Sequence, residues 1–360
     1  MIPVTKPYLP SKEEYNRYLN DIWERHWLTN NGPLVNDLEA RLKELLQVSN
    51  LLFTSNGTVA IQIAIKALNL TGEVITTPFS YVATTSSILW ENCKAVFVDI
   101  DPATFNIDPQ KIEAAITPNT SAILATHVFG NACDIDAIQA IADKHQLKVI
   151  YDAAHCFGTQ YKKRSVFEYG DISTCSFHAT KLFHTTEGGA VFATDNQLME
   201  QMGLLRNFGH TSPVTFGSIG INAKNSEFHA AMGLCCLDHI EEIMIKRTEQ
   251  WQHYKELLAG QKNLQLLKIT DGCTFNGAYF PIVLESEKVL TKVTEMLNLQ
   301  YVYPRRYFYP SLNTLSFVDR AACQHSESIA PRILCLPLYH TLRKEDQDMI
   351  AKVIIKNIKG

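Results

Sequence analysis

The stretch KVIYDAAHCFG, Lys148–Gly158, carries a short apolar run directly onto an aspartate, Asp152. A run of this length and composition reads as a strand buried on both faces, with a carboxylate at its C-terminal tip. Working outward, similar runs recur as VITT (74–77), AVFVDI (95–100) and AILATHVFG (122–130). Between them, PQKIEAAI (109–116) and IDAIQAIADKHQ (135–146) space their apolar residues as helices do. The alternation predicts an α/β fold with a mostly parallel sheet, and further strands are expected at 171–177 and 190–194. Leu234 to Ala259 contains neither Gly nor Pro. It is predicted as one long helix leaving a first domain (1–240) and entering a smaller α/β domain (241–360). No period of 20–50 residues and no low-complexity tract is present, which removes repeat architectures.

The bulk properties narrow the function classes. A chain of 360 residues with 46% hydrophobic and 19% charged content has material for about two folded domains. Its 33 basic and 37 acidic residues argue against a broad nucleic-acid or anionic-membrane footprint, while leaving room for a local cationic pocket. Nine scattered cysteines lack CxxC spacing, and no leading signal segment precedes them. Free thiols in the reducing cytoplasm are therefore expected, with no metal site and no disulfide framework. No window approaches the roughly 18 uninterrupted apolar residues of a membrane span.

An α/β sheet of this kind commonly takes a dinucleotide or a nucleoside triphosphate, yet none of the 17 glycines forms G-x-G and neither GKS nor GKT occurs. HExxH is absent as well. TSNGTVAIQIAIKAL (54–68) instead opens a small polar turn onto a helical pattern. The free amides of Gly57 and Thr58 there suit one phosphate, although an N-cap without any ligand has the same appearance. Asp152 is costly to bury without a cationic partner; a protonated heterocyclic nitrogen would serve, and so would a simple loop cap. SFHATKLFHTTEGG (176–189) places Lys181 between a strand and a glycine pair with Glu187 as the segment's one acid, so the lysine need not be a surface charge. A lysine facing a crevice loses its proton readily and forms imines. Phosphate cup, acid for a pyridinium and imine-forming lysine are three parts of one pyridoxal phosphate site.

The ordered set TSNGT, TPFSYVATTSS (77–87), DAAHCFG, SFHATKLFHTTEGG and GINAKNSEFHAAMGL (220–234) resembles the DegT/DnrJ/EryC1/StrS family of nucleotide-sugar aminotransferases. The likeness begins with WLTNNGPLVNDLEARL (27–42) and closes with LPLYHTLRKEDQDMI (336–350), so it spans nearly the whole chain. It implies the aspartate aminotransferase type of fold, a seven-stranded large domain, and a homodimer with shared active sites. It also implies pyridoxal phosphate as cofactor, with L-glutamate as the usual donor.

Residue by residue, the resemblance puts Lys181 at the covalent cofactor position and Asp152 against the pyridine nitrogen. His155 falls where the ring hydroxyl is contacted, and Tyr81 where an aromatic ring stacks, although for Tyr81 taken alone a core position is the better fit. Gly57, Thr58 and Ser176 match phosphate ligands. Asn222 and Lys224 fall in the segment that reaches across the dimer, with Lys224 standing where Arg or Asn is usual. His178 and His184 are expected to shape the site or touch substrate. Thr29, Asn30, Thr84, Glu187, Arg305, Arg306 and Tyr309 are the expected substrate contacts. In YVYPRRYFYPSLNTL (301–315), two arginines and four tyrosines offer a diphosphate partner and platforms for base or sugar, or else a packing surface. PRRYFYPSL is similar to members that aminate C4 of dTDP-4-keto-6-deoxyglucose. Amination at C3, or a UDP- or GDP-linked ketosugar, is the alternative. Lysine at position 181 argues against the family's dehydratases, which carry histidine there. A silent regulator would be expected to lose Lys181 or Asp152.

Overall fold

The computed structural model describes residues 1–358. Seven strands form the central sheet in the spatial order Leu52–Thr54, Gly189–Phe192, Ile172–Ser176, Lys148–Asp152, Thr120–Thr126, Glu73–Thr76, Lys94–Phe97. Gly189–Phe192 runs antiparallel to both neighbours and every other pairing is parallel, as the alternating apolar runs require. Side chains alternate between two apolar layers: Val149 and Tyr151 join one, and Ile150, between them, joins the other. Burial on both faces accounts for the unbroken apolar character of these strands.

Parallel register aligns Thr126, Asp152 and Thr174 across three adjacent strand ends. The helix Gly57–Ala67 starts at the same edge, capped by Asn56, whose side chain accepts the Val59 N–H at 2.8 Å.

Two expected helices differ. Leu234–Ala259 is interrupted: one helix covers Glu227–Leu237, a second Ile240–Leu258, and His239 between them leaves the helical region at φ −118°, ψ 5°. At the break Asp238 binds Arg41 (2.7 Å) and His239 binds Glu14 (2.8 Å), both on helices far upstream. Glu241 and Glu242 then suit the positive start of the second helix. PQKIEAAI gives only a single α-helical turn, Pro109–Ile112, followed by a 3-10 turn at Glu113–Ala115.

A second, antiparallel sheet unites Leu264–Leu266, Phe280–Leu284 and Ile333–Leu336. Helices Ile240–Leu258, Glu287–Asn298 and Lys344–Ile358 share a separate apolar core with it. The chain is not cleanly cut in sequence, because Ile2–Pro3 pairs in parallel with Val302–Tyr303, and Cys273–Thr274 pairs with Gln160–Tyr161. Where the two sheets meet, Phe79 packs its ring against Phe105, Phe129 and Phe308 at centroid distances of 6.0, 6.2 and 5.7 Å. That cluster seats the Arg305–Tyr309 segment over the ends of the parallel strands. Among the described residues, no helix is long and apolar enough to cross a membrane.

Candidate active site

Above those strand ends lies a cavity of about 700 Å³. Gly57, Thr58, Tyr81, Asp152, His155, Ser176, His178, Lys181, Glu187 and Arg305 all line it. Five segments distant in sequence thus converge on one space.

Asp152 is buried at the tip of its strand. Its Oδ2 accepts the Thr84 hydroxyl at 2.6 Å and its Oδ1 the Ala154 N–H at 3.1 Å, leaving lone pairs unengaged. Burial pushes its carboxyl above the ordinary range, opposed by these two donors and by the charge of Lys181. Lys181 sits in a loop tied by Phe177 N–H to Gly188 O (2.8 Å), Ala179 N–H to Thr186 O (2.8 Å) and Lys181 N–H to His178 O (2.8 Å). Burial lowers its pKa, and Asp152 partly offsets the shift. The buried acid and the half-buried amine therefore each lack a full complement of polar partners, a state that a ligand carrying both a cationic and an electrophilic group relieves.

Phosphate chemistry suits the helix start at Gly57. The first N–H groups of a helix have no acceptor within it, and Asn56 takes up only that of Val59. A Cβ on Gly57 would come within 2.9 Å of Ser176 Cβ, so glycine is what lets the helix approach the Ser176 hydroxyl.

His155 is neutral. Its Nδ1 accepts the Phe129 N–H at 3.2 Å, which leaves the proton on Nε2, and burial holds its pKa well below the ordinary value. Its ring lies parallel to Phe308 (5.7 Å, 4°). Tyr81, 61% exposed, stands at the cavity wall rather than in a core.

The chain matches the model of the DegT/DnrJ/EryC1/StrS aminotransferase family over residues 10–355. It belongs to that family. A dTDP-4-amino-4,6-dideoxy-D-glucose transaminase of Shigella dysenteriae is 41% identical, covering 98% of this chain and 97% of that protein. One of the same name from Escherichia coli is 39% identical, covering 98% of each. Among solved structures, DesI in the presence of its TDP-sugar product superposes with a TM-score of 0.93 at 32% identity, covering 99% of this chain and 93% of that one. The seven-stranded aminotransferase architecture read from the sequence is the one found.

The DegT/DnrJ/EryC1/StrS family implies pyridoxal phosphate, and the cavity fits it: a helix start with uncapped N–H groups, an under-satisfied buried carboxylate, a crevice lysine and an exposed aromatic share one wall system. Several expected contacts lie elsewhere. Thr84 is fully buried behind Asp152 and is its hydrogen-bond donor, so it is withdrawn as a substrate contact. The Arg306 guanidinium binds Glu287 (2.7 Å) and Pro331 O (2.9 Å) and stacks on Tyr309 (3.6 Å), which takes both residues out of the cavity lining. His184 is buried against Tyr8 O (2.7 Å), a structural contact. Within one chain Thr29, Asn30, Asn222 and Lys224 do not line the cavity; Lys224 binds Asn207 at 2.6 Å and lies over Phe208.

Tyr307, one of the four tyrosines of the 301–315 segment, also lines the site, as do Ser80, Thr126, Tyr279 and Phe308, which were not among the expected residues. Thr126 ends a parallel strand beside Asp152, and the strand-tip reasoning that singled out the acid applies to it equally. Tyr279 carries no such signal.

Proposed function

We propose that the protein moves an amino group from L-glutamate to C4 of dTDP-4-keto-6-deoxy-D-glucose, giving dTDP-4-amino-4,6-dideoxy-D-glucose. The convergence of Lys181 and Asp152 on one cavity carries the chemistry, and the full-length likeness to transaminases named for that product supports the substrate.

Pyridoxal phosphate, when bound, supplies an aldehyde that takes up amino groups and a ring that accepts electrons from the donor's α-carbon. Lys181 Nζ is the group that would hold that aldehyde in the resting protein. Once released, it carries a proton off the α-carbon of the donor, and in the second half it returns a proton to the sugar carbon that gains the amine. Its lowered pKa favours the unprotonated state needed to accept that proton. Asp152 keeps the ring nitrogen protonated. The N–H groups of Gly57 and Thr58 with the Ser176 hydroxyl would hold the cofactor's phosphate, His155 Nε2–H would serve its ring hydroxyl, and Tyr81 would shield its ring from water. Arg305 and Glu187, with His178 beside them, face the variable part of the substrate.

The assembly in this reading is a homodimer in which Thr29, Asn30, Asn222 and Lys224 complete the partner's site. The Gly57-bearing sheet belongs to the large domain (1–240), and residues 241–360 supply most of the smaller one, which Ile2–Pro3 joins by pairing with Val302–Tyr303. Nine unpaired cysteines accord with a cytoplasmic setting.

The test is incubation with glutamate and dTDP-4-keto-6-deoxyglucose, followed by NMR location of the new C–N bond and comparison with UDP and GDP substrates. Nitrogen at C4 with dTDP preference is expected. Nitrogen at C3, or preference for another nucleotide, overturns the substrate while leaving the transaminase chemistry. A visible absorption band unmoved by glutamate points to a silent regulator.

A further inference from the structure

Three hydroxyls connect to the carboxylate: those of Ser80 and Thr126, which line the cavity, and that of Thr84, which lies behind it. Thr126 Oγ1 donates to Ser80 Oγ at 3.2 Å, Ser80 Oγ meets Thr84 Oγ1 at 2.8 Å, and Thr84 Oγ1 reaches Asp152 Oδ2 at 2.6 Å. All three are buried, and they come from two separate segments, the Thr120–Thr126 strand end and the turn into helix Val82–Trp90.

Each hydroxyl owns one proton, so with Asp152 ionised only one order of donation satisfies all three bonds. Thr84 spends its proton on the carboxylate, so Ser80 donates to Thr84 and Thr126 to Ser80. Every donor thus points towards Asp152. Running the chain backwards requires a proton on Oδ2, and it leaves the Thr126 hydroxyl donating into the cavity instead of to a protein acceptor. The far oxygen, Oδ1, likewise receives a donor, the Ala154 N–H. The other ionisable groups around Asp152 are Lys181 from the facing loop, neutral His155 three residues along, and the thiols of Cys156 and Cys175.

We infer that Thr126, Ser80 and Thr84 are positioning residues, a one-way hydroxyl chain that holds Asp152 ionised and aimed, and through it keeps the cofactor's ring nitrogen protonated. The inference rests on the proposed facing of Asp152 and the ring. A buried carboxylate left to desolvation alone takes up a proton, and a neutral acid holds a pyridinium poorly. Hydrogen bonds to ionised groups are the strong ones, and successive bonds polarise one another, so the effect should weaken with distance along the chain.

The test uses the full-length protein loaded with pyridoxal phosphate labelled with 15N in the ring. The ring-nitrogen shift is followed by NMR, together with the pH titration of the visible band. Thr84→Val should lower the ring nitrogen's hold on its proton about tenfold, the scale of one charged hydrogen bond. Ser80→Ala should do so less and Thr126→Val least, while Thr84→Ser restores the native signal. A native ring signal in Thr84→Val, alongside an altered one in Asp152→Asn, overturns the hydroxyl chain and leaves the site reading intact. A native signal in Asp152→Asn overturns both. If Thr84→Val does not fold, Ser80→Ala carries the same comparison, and an unchanged signal there is equally contrary.

Discussion

A Cβ on Gly32 would lie 2.5 Å from the carboxyl carbon of Glu227. Glu227 is fully buried, and its two oxygens accept the N–H groups of Leu34 and Val35 at 2.9 Å each. It thereby caps a helix, Pro33–Leu46, whose own N-cap glycine has no side chain to do so. The Glu227 N–H also donates to Leu28 O at 3.0 Å. One acid therefore ties the loop holding Thr29 and Asn30 to the segment holding Asn222 and Lys224.

Gly32→Ala should displace that carboxylate and cost about 1–3 kcal/mol, as overpacking does. Glu227→Ala should cost at least as much by stranding two buried N–H groups. Thermal or urea unfolding measures both, and the double variant should cost less than the two single losses added together, because the clash disappears with the carboxylate. Strict additivity contradicts the contact.

His127 is a source of acid sensitivity. It is wholly buried against Tyr151 (ring centroids 4.5 Å apart), with Nδ1 accepting the Cys133 N–H at 3.0 Å, and burial lowers its pKa to about 3. The unfolded chain takes up this proton near the ordinary histidine value and the folded chain does not. The stability it contributes is thus complete above about pH 6.5 and is lost progressively as pH falls towards 3. His127→Gln should flatten the pH dependence of unfolding free energy between pH 4 and 6 by about 1.4 kcal/mol per pH unit. An unchanged slope removes His127 from the account.

The two adjacent arginines should separate kinetically. Arg305, at the cavity wall and anchored through its backbone to Cys335 (3.1 and 2.7 Å), should on change to Ala raise KM for the nucleotide sugar about 10- to 100-fold, as loss of a charge-assisted contact does. Arg306→Ala breaks a partly exposed pair with Glu287 and should cost about 1 kcal/mol or less of stability, with KM near that of the parent. Equal KM effects from both contradict the cavity assignment.

Shared sites are testable by mixing. Lys181→Ala chains and chains carrying Asn222→Ala with Lys224→Ala are each expected to be inactive. Their heterodimers should recover activity, because one of the two sites then holds neither defect. Verified heterodimers with no activity favour sites built from single chains.

What the sequence disclosed depended on how local the signal was. Asp152 and Lys181 were legible because a carboxylate at the end of an apolar strand and a lysine before a glycine pair are chemically costly where they stand. The sheet was legible because double-sided burial leaves unbroken apolar runs. The break at His239 was not, because nothing in the Gly- and Pro-free run marks it, and the partners that Asp238 and His239 meet there, Arg41 and Glu14, lie on other helices. Thr84 was misplaced by the same limit. Its motif was recognised, but only the packed helix start turns its hydroxyl onto Asp152 instead of into the cavity. Arg305 and Arg306 are neighbours in sequence, and the pairing of Arg305 with Cys335 directs them to different sides.

The central claim is that Lys181 is the lysine that carries the cofactor. Borohydride reduction of the pyridoxal phosphate-loaded protein, followed by peptide mapping, tests it directly. A single pyridoxyl group on Lys181 is expected, and in Lys181→Ala a cofactor bound without covalent attachment and turnover lower by several orders of magnitude. A pyridoxyl group on any other lysine, or on none, contradicts it.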